Sequence, residues 1–151
     1  VEEEKKVLYK HGDGKTWVHS GDLGYIDEDG FLYLVGRIKR MIIRGGFKIY
    51  PSEIEQVISE NKDVSECCVI SIDSTEYGSE PQAHVVLKNN QVDENKIKKE
   101  LMNLCREKLP SYAVPCDIIF DENFPLTAVG KIDYKKLEEL EKEKSCKSKK
   151  G

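Results

Sequence analysis

The stretch VSECCVISIDSTEYGSEPQAHVVL, residues 64–87, decides the fold. Val64 to Ile72 is rich in β-branched residues and cysteine, and Ala83 to Leu87 is similar, so both read as strands. Asp73 to Gln82, with Gly78 and Pro81, reads as the loop between them. Upstream, Pro51 opens a helix at a position where its missing N–H does no harm. Ser52 and Glu55 have capping-box spacing, with Tyr50 as an alternative cap. Ile54, Val57 and Ile58 share one face of that helix. Downstream, Asp93 is placed to cap a helix running to about Lys108, with Ile97, Leu101, Leu104 and Cys105 along one face. Pro110 and Pro115 bracket a break, and Asp117 to Phe120 reads as a third strand. Asp133 caps a last helix bearing Leu137 and Leu140. The order from about residue 50 is helix, strand, strand, helix, strand, helix. It predicts a small α+β domain, a three-stranded sheet covered by helices.

A two-stranded β-hairpin precedes this domain. Its strands are Gly24 to Ile26 and Phe31 to Val35, around the polar turn Asp27 to Gly30. A second hairpin follows, in which Arg40 to Ile43 and Phe47 to Ile49 flank Arg44-Gly45-Gly46. Residues 1–16 read as a polar lead-in with a turn at His11 to Lys15. Glu141 to Gly151 is nearly all Lys, Glu and Ser, and reads as a flexible charged tail.

Composition narrows the function classes. The 151 residues suit one ordinary domain with a piece of another. Lys and Arg total 24 against 28 Asp and Glu, a net charge of -4, so no broad basic field speaks for nucleic acid. No apolar run approaches the ~20 residues of a membrane span. The five cysteines are odd in number and form no Cys-x-x-Cys. Cys67 and Cys68, neighbours in a strand, point to opposite faces. Neither a disulfide framework nor a zinc site is expected, and a reducing cytoplasm fits. His11, His19 and His84 have no carboxylate or cysteine partner at ligand spacing, so no metal site is expected. The chain begins at Val1 rather than Met, which reads as a piece of a longer protein.

Three segments are too polar and Gly-rich for packing alone: Ser20 to Gly24, Gly36 to Lys48, and Pro125 to Asp133. Each sets a charged residue beside glycine. Glycine lets a ligand or another backbone approach closely, and the adjacent charge can address a phosphate, a sugar hydroxyl or a carboxylate.

Together these segments resemble the adenylate-forming superfamily of acyl-CoA synthetases, peptide-synthetase adenylation domains and luciferases. WVHSGDLGYIDEDGFLYLVGR (17–37) resembles its TGDL-type motif and following hairpin. GRIKRMIIRGGFKIYPSEIE (36–55) resembles its hinge and glycine loop, and PLTAVGKIDYKKL (125–137) its C-terminal lysine motif. The motifs stand in family order, and no Walker-type phosphate loop is present. MIIRGGFKIYPSEIE (41–55) is more similar to acyl- or aryl-CoA ligases than to peptide-synthetase domains.

The resemblance implies a division of the chain. Residues 1–38 would be the tail of a truncated large AMP-binding domain, 39–140 the mobile C-terminal domain, and 141–151 a flexible tail. The fragment alone would be inactive. Asp22 would accept hydrogen bonds from the ribose hydroxyls of ATP, and Arg37 would be a second ribose contact. Lys39 would be the hinge. Gly45 and Gly46 would line the pantetheine tunnel for CoA, and Lys48 would lie near the nucleotide. Lys131 would bridge the substrate carboxylate and the ATP phosphates, stabilising charge rather than moving a proton. Mg²⁺ would arrive with ATP and be held mainly by the absent domain. The partners implied are a carboxylic acid, ATP, CoA and the chain's own N-terminal domain. Two rivals stay open: an adenylation domain loading a phosphopantetheine carrier protein, and a non-catalytic protein-binding module. So do plain readings of the residues: Asp22 as a turn aspartate, Arg37 as a strand-end arginine, Gly45-Gly46 as a tight turn, Lys131 as a loop closer.

Overall fold

The computed structural model describes residues 7–89 and 91–148. Residues 1–6 of the expected lead-in and 149–151 of the expected tail lie outside them. The chain divides into two compact units between Lys39 and Arg40.

The first unit is two antiparallel ribbons. Strands β1 (Leu8–Lys10) and β2 (Thr16–Val18) form one. Sequence analysis reads this segment as a polar lead-in. Its alternation is short, and the pairing is held by features that periodicity does not register. Tyr9 sits opposite Trp17, and the Trp17 indole N–H donates to Asp13 at 3.0 Å. Strands β3 (Asp22–Ile26) and β4 (Leu32–Arg37) form the expected hairpin. The Asp27 carboxylate closes its turn, accepting the N–H groups of Asp29 and Phe31 at 3.1 and 2.9 Å. A β-bulge falls between Leu23 and Gly24. A Cβ on Gly24 would stand 2.6 Å from the Tyr33 carbonyl oxygen, so only glycine fits there. No residue between 7 and 39 is buried.

The second unit carries the core. Its strands are β5 (Ile42–Arg44), β6 (Phe47–Ile49), β7 (Val64–Ser74), β8 (Gly78–Leu87) and β9 (Asp117–Phe120). The helices are α1 (Pro51–Ser59), α2 (Glu94–Lys108) and α3 (Tyr134–Ser148). The fold is α+β as expected, but the sheet has five strands rather than three, in the order β6-β5-β8-β7 with β9 parallel on β8. The hairpin of β5 and β6 joins the sheet through Arg44 opposite Gly78, a long-range pairing with no local signature.

The β7–β8 connection also shrinks from the expected 73–82 to three residues, Thr75 to Tyr77. Pro81 sits inside β8 without breaking it. Its carbonyl accepts from Cys116 N–H at 2.9 Å, so its backbone polar side faces away from β7 and its missing N–H costs no bond to that partner.

Alternation along β7 feeds two cores. Val69 joins Ile54, Ile58, Leu101, Val85 and Ile118 beneath α1 and α2. Cys68 and Ile70 join Phe124 and Leu137 beneath α3. Cys67 and Cys68 therefore face opposite ways, as the strand reading requires. Asp93 caps α2 as expected, its Oδ1 accepting Asn95 and Lys96 N–H at 3.0 and 3.3 Å. Tyr50 holds the N-cap position of α1, and no side-chain bond caps it. Helix α3 continues to Ser148, past Leu140 where sequence analysis begins the tail. Lys and Glu are good helix formers, and Glu141 pairs with Lys144 one turn on at 3.3 Å. No described helix is long and apolar enough to cross a membrane.

Candidate functional site

The candidate residues fall into three places. In the first unit, Asp22 and Arg37 are cross-strand partners at the open end of the β3–β4 hairpin. Arg37 Nε lies 2.8 Å from Asp22 Oδ1. The approach is set by Gly21, whose φ of +78° turns the chain and whose carbonyl accepts Ile38 N–H at 2.9 Å. The Ser20 hydroxyl accepts Asp22 N–H at 3.2 Å. Asp22 is shielded while Arg37 is mostly exposed, with side-chain exposures of 28% and 65%. The pair sets a carboxylate acceptor beside a fork of guanidinium donors, a combination that suits a vicinal diol. Lys39 is exposed in a single 3-10 turn, Ile38–Arg40, where the two units divide.

The second place is the turn of the β5–β6 hairpin. Gly45 and Gly46 have φ of +54° and +90°. Gly45 N–H donates to the Tyr77 carbonyl at 3.1 Å. Arg44 anchors this turn. It pairs with Glu80 at 2.7 Å, donates to the carbonyls of Tyr112 and Val114 at 3.1 and 3.3 Å, and lies over the Tyr77 ring at 4.9 Å. Phe47 stacks on Tyr112 with ring centroids 4.6 Å apart. Arg44, Gly45, Phe47, Tyr77, Ser111 and Tyr112 line an open groove of about 270 Å³. Sequence analysis singled out the glycines but missed Arg44, Tyr77 and Tyr112, which lie 33 and 68 residues from Arg44 in the cases of the two tyrosines. Lys48 is exposed on β6 opposite Ile43.

Lys131 occupies the third place, a tight loop closed by the Leu126–Ile132 bridge. Thr127 and Lys131 exchange bonds: Thr127 N–H to the Lys131 carbonyl at 2.7 Å, Lys131 N–H to the Thr127 hydroxyl at 3.2 Å. Gly130, at φ +79°, makes the turn. Asp133 N–H donates to Pro125 O at 2.8 Å, and the Asp133 carboxylate caps α3 through Lys136 N–H at 3.1 Å. The Lys131 backbone is thus fixed and its side chain exposed, with no ion pair to a described residue. The structure brings Asp22 to Arg37, and Gly45 to one groove with Arg44, while Gly46 follows in the same turn outside the groove lining. It keeps Lys131 on a separate loop.

His84 finds in space a carboxylate partner that no ligand spacing in the sequence offered. It is fully buried, with Nδ1 2.6 Å from Asp121 and Nε2 3.1 Å from Gln82 Oε1. Asp121 is 37 residues away in sequence, beyond the reach of spacing arguments. The thiols of Cys67, Cys68 and Cys105 are unsuited to nucleophilic work. Burial, then the Glu55 carboxylate, pushes Cys67 far up and Cys68 to about 12, and burial pushes Cys105 to about 11. Among the described residues no three His, Cys, Asp or Glu side chains converge to hold a metal ion.

The profile of the AMP-binding enzyme C-terminal domain family matches residues 53–131. A 2-succinylbenzoate–CoA ligase of Listeria monocytogenes is 44% identical over 123 residues, 82% of this chain and 25% of that protein. An o-succinylbenzoate CoA synthetase from Bacillus subtilis, solved with the acyl-adenylate OSB-AMP, superposes with a TM-score of 0.73 at 34% identity, covering 85% of this chain and 25% of that one. An amide bond synthetase from Marinactinospora thermotolerans superposes with a TM-score of 0.77 at 30% identity, covering 92% and 26%. The chain spans about a quarter of the length of the curated relatives it matches.

Proposed function

Because the chain belongs to the AMP-binding enzyme C-terminal domain family, we propose that it is the C-terminal portion of an ATP-dependent, AMP-forming acyl-CoA synthetase. In the first step a carboxylate attacks the α-phosphate of ATP, giving an acyl-adenylate and pyrophosphate. In the second the CoA thiol displaces AMP and forms the thioester. Residues 1–38 belong to the large domain in this reading, and residues from Lys39 on form the mobile one. The lack of any buried residue between 7 and 39 supports this, because two-stranded ribbons are marginal without a covering partner.

The observation that carries the proposal is Lys131. Its ammonium stands exposed on a backbone fixed by four loop hydrogen bonds, with no internal counter-ion among the described residues. Such a cation is available to a reacting phosphoryl group. It would offset negative charge as the carboxylate attacks, an electrostatic contribution. Asp22 and Arg37 would meet the ribose hydroxyls. The domain would then turn at Lys39 and present the Gly45-Gly46 turn to the pantetheine arm. Lys48 would remain near the nucleotide. Mg²⁺ entering with ATP would be held mainly by the absent large domain. The free thiols of Cys67, Cys68, Cys105 and Cys116 support a reducing, cytoplasmic setting.

The test separates the two half-reactions in the full-length protein. Lys131→Ala should cut adenylate formation by 100-fold or more, on the order of a lost transition-state charge contact. Thioester formation from supplied acyl-adenylate should survive. Equal loss of both steps would defeat the assignment.

A further inference from the structure

The first residue of the second unit, Arg40, is a node of contacts. Its side chain is only 21% exposed, and that of Glu55 on α1 is 20% exposed. The guanidinium meets the Glu55 carboxylate with both terminal nitrogens, Nη1 to Oε2 at 3.4 Å and Nη2 to Oε1 more closely. Nη2 also donates to the Val69 carbonyl at 3.1 Å. Val69 N–H in turn donates to Glu55 Oε1 at 2.9 Å. The ion pair therefore satisfies both backbone polar groups of Val69. Among the described strands β7 pairs only with β8 and so is an edge strand, and its outward N–H and C=O at this point are closed by side chains.

The other side of the guanidinium faces α3. Arg40 Cζ lies 5.2 Å from the centroid of the Tyr134 ring, within range of a cation–π contact. Tyr134 is the first residue of α3 and packs with Ile132 against the core of Cys68, Ile70, Phe124 and Leu137. Three residues before it stands Lys131. One guanidinium thus ties the residue after Lys39 to α1, to β7 and to the base of the loop carrying Lys131. Burial opposes its charge, but hydrogen bonding to Glu55 and that carboxylate's charge outweigh burial and hold Arg40 above the ordinary arginine value.

We propose that Arg40 is a positioning residue, the clamp through which rotation at Lys39 is delivered to the Lys131 loop. It touches no reacting atom. Its work is to make the segment after the hinge move with the base of that loop, so that the ammonium arrives in one place. This rests on the roles assigned to Lys39 and Lys131 above. Geometry of this kind is sensitive, because displacing a group by about 1 Å can cost on the order of 100-fold in rate.

The experiment uses the full-length protein and measures pyrophosphate release and thioester formation from supplied acyl-adenylate separately. Arg40→Met alone would leave Glu55 partly buried and unpaired, so the double variant Arg40→Met/Glu55→Gln is made beside it. Tyr134→Leu removes the ring and leaves the ion pair, and Tyr134→Phe keeps the ring face. Arg40→Met/Glu55→Gln and Tyr134→Leu should each lower the adenylation rate constant by roughly 10- to 100-fold. The KM for ATP should change less than threefold, thioester formation should be retained, and Tyr134→Phe should behave as wild type. Adenylation unchanged in both variants, or both half-reactions falling together, overturns the clamp. Lys131→Ala runs as a control. If it cripples adenylation while the clamp variants do not, the inference alone fails. If Lys131→Ala leaves adenylation intact, the underlying reading fails first.

Discussion

Replacing Gly46 with leucine separates two demands on the same residue. The backbone there sits at φ +90°, which L-residues adopt at a cost of about 1–2 kcal/mol. A Cβ at Gly46 would meet no heavy atom of the described residues within 4 Å. The stability penalty of Gly46→Leu is therefore conformational only, about 1–2 kcal/mol, and the melting temperature should fall by several degrees for a domain of this size. The domain stays folded, and Lys131 on its separate loop is untouched. If the turn walls the pantetheine passage, the leucine side chain projects into space that is empty in this chain and fills it when the thiol must enter. Adenylate formation, read as pyrophosphate release, should stay within about threefold of wild type. Thioester formation should fall by 100-fold or more, an expectation scaled to a misplaced reacting group. Gly46→Ala, with the same backbone cost and a smaller side chain, should fall between. Thiol transfer at the wild-type rate in Gly46→Leu would refute the tunnel role and leave Gly46 as a turn residue.

Asp22→Asn keeps the shape but removes the charge that pairs with Arg37 at 2.8 Å. The KM for ATP should rise by about tenfold, the value of one charge-assisted hydrogen bond, and an unchanged KM would remove Asp22 from the ribose site. Leu101→Ala, in the fully buried seam of α2, should destabilise the second unit by about 2–5 kcal/mol in urea unfolding. A loss under 1 kcal/mol would show that the seam collapses around the gap.

What the sequence made legible was local. Pro51, Asp93 and Asp133 mark helix starts because their effects act within one turn, and all three stand where a helix begins. The turns at Gly45-Gly46 and Gly130 were visible because glycine at positive φ leaves a compositional mark. The hairpin of β5 and β6 was visible as a hairpin, but its place in the sheet was not, since joining β5 to β8 depends on Arg44 reaching Gly78 across 34 residues. Pro81 misled for a similar reason: it reads as a loop residue unless the partner of its missing N–H is known. His84 and Arg40 were passed over because Asp121, Glu55 and Tyr134 are supplied by distant segments.

That contrast bears on how the candidate groups are held. Arg40 and Arg44 are committed, each satisfied by a carboxylate, at least one backbone carbonyl and an aromatic face, so their positive charge is spent on structure. Lys131 differs: its N–H, carbonyl and neighbours are fixed while the ammonium has no ion pair among the described residues. Removing an exposed, unpaired ammonium should change stability by less than about 0.5 kcal/mol, whereas removing Arg40 strands a partly buried carboxylate. A cation that contributes little to the fold but sits on an over-determined backbone is what the proposed phosphoryl contact requires. The melting temperature of Lys131→Ala, set beside its adenylation rate, measures that separation directly. A large thermal loss would mean that the ammonium has an internal partner and is not held free for a phosphoryl group.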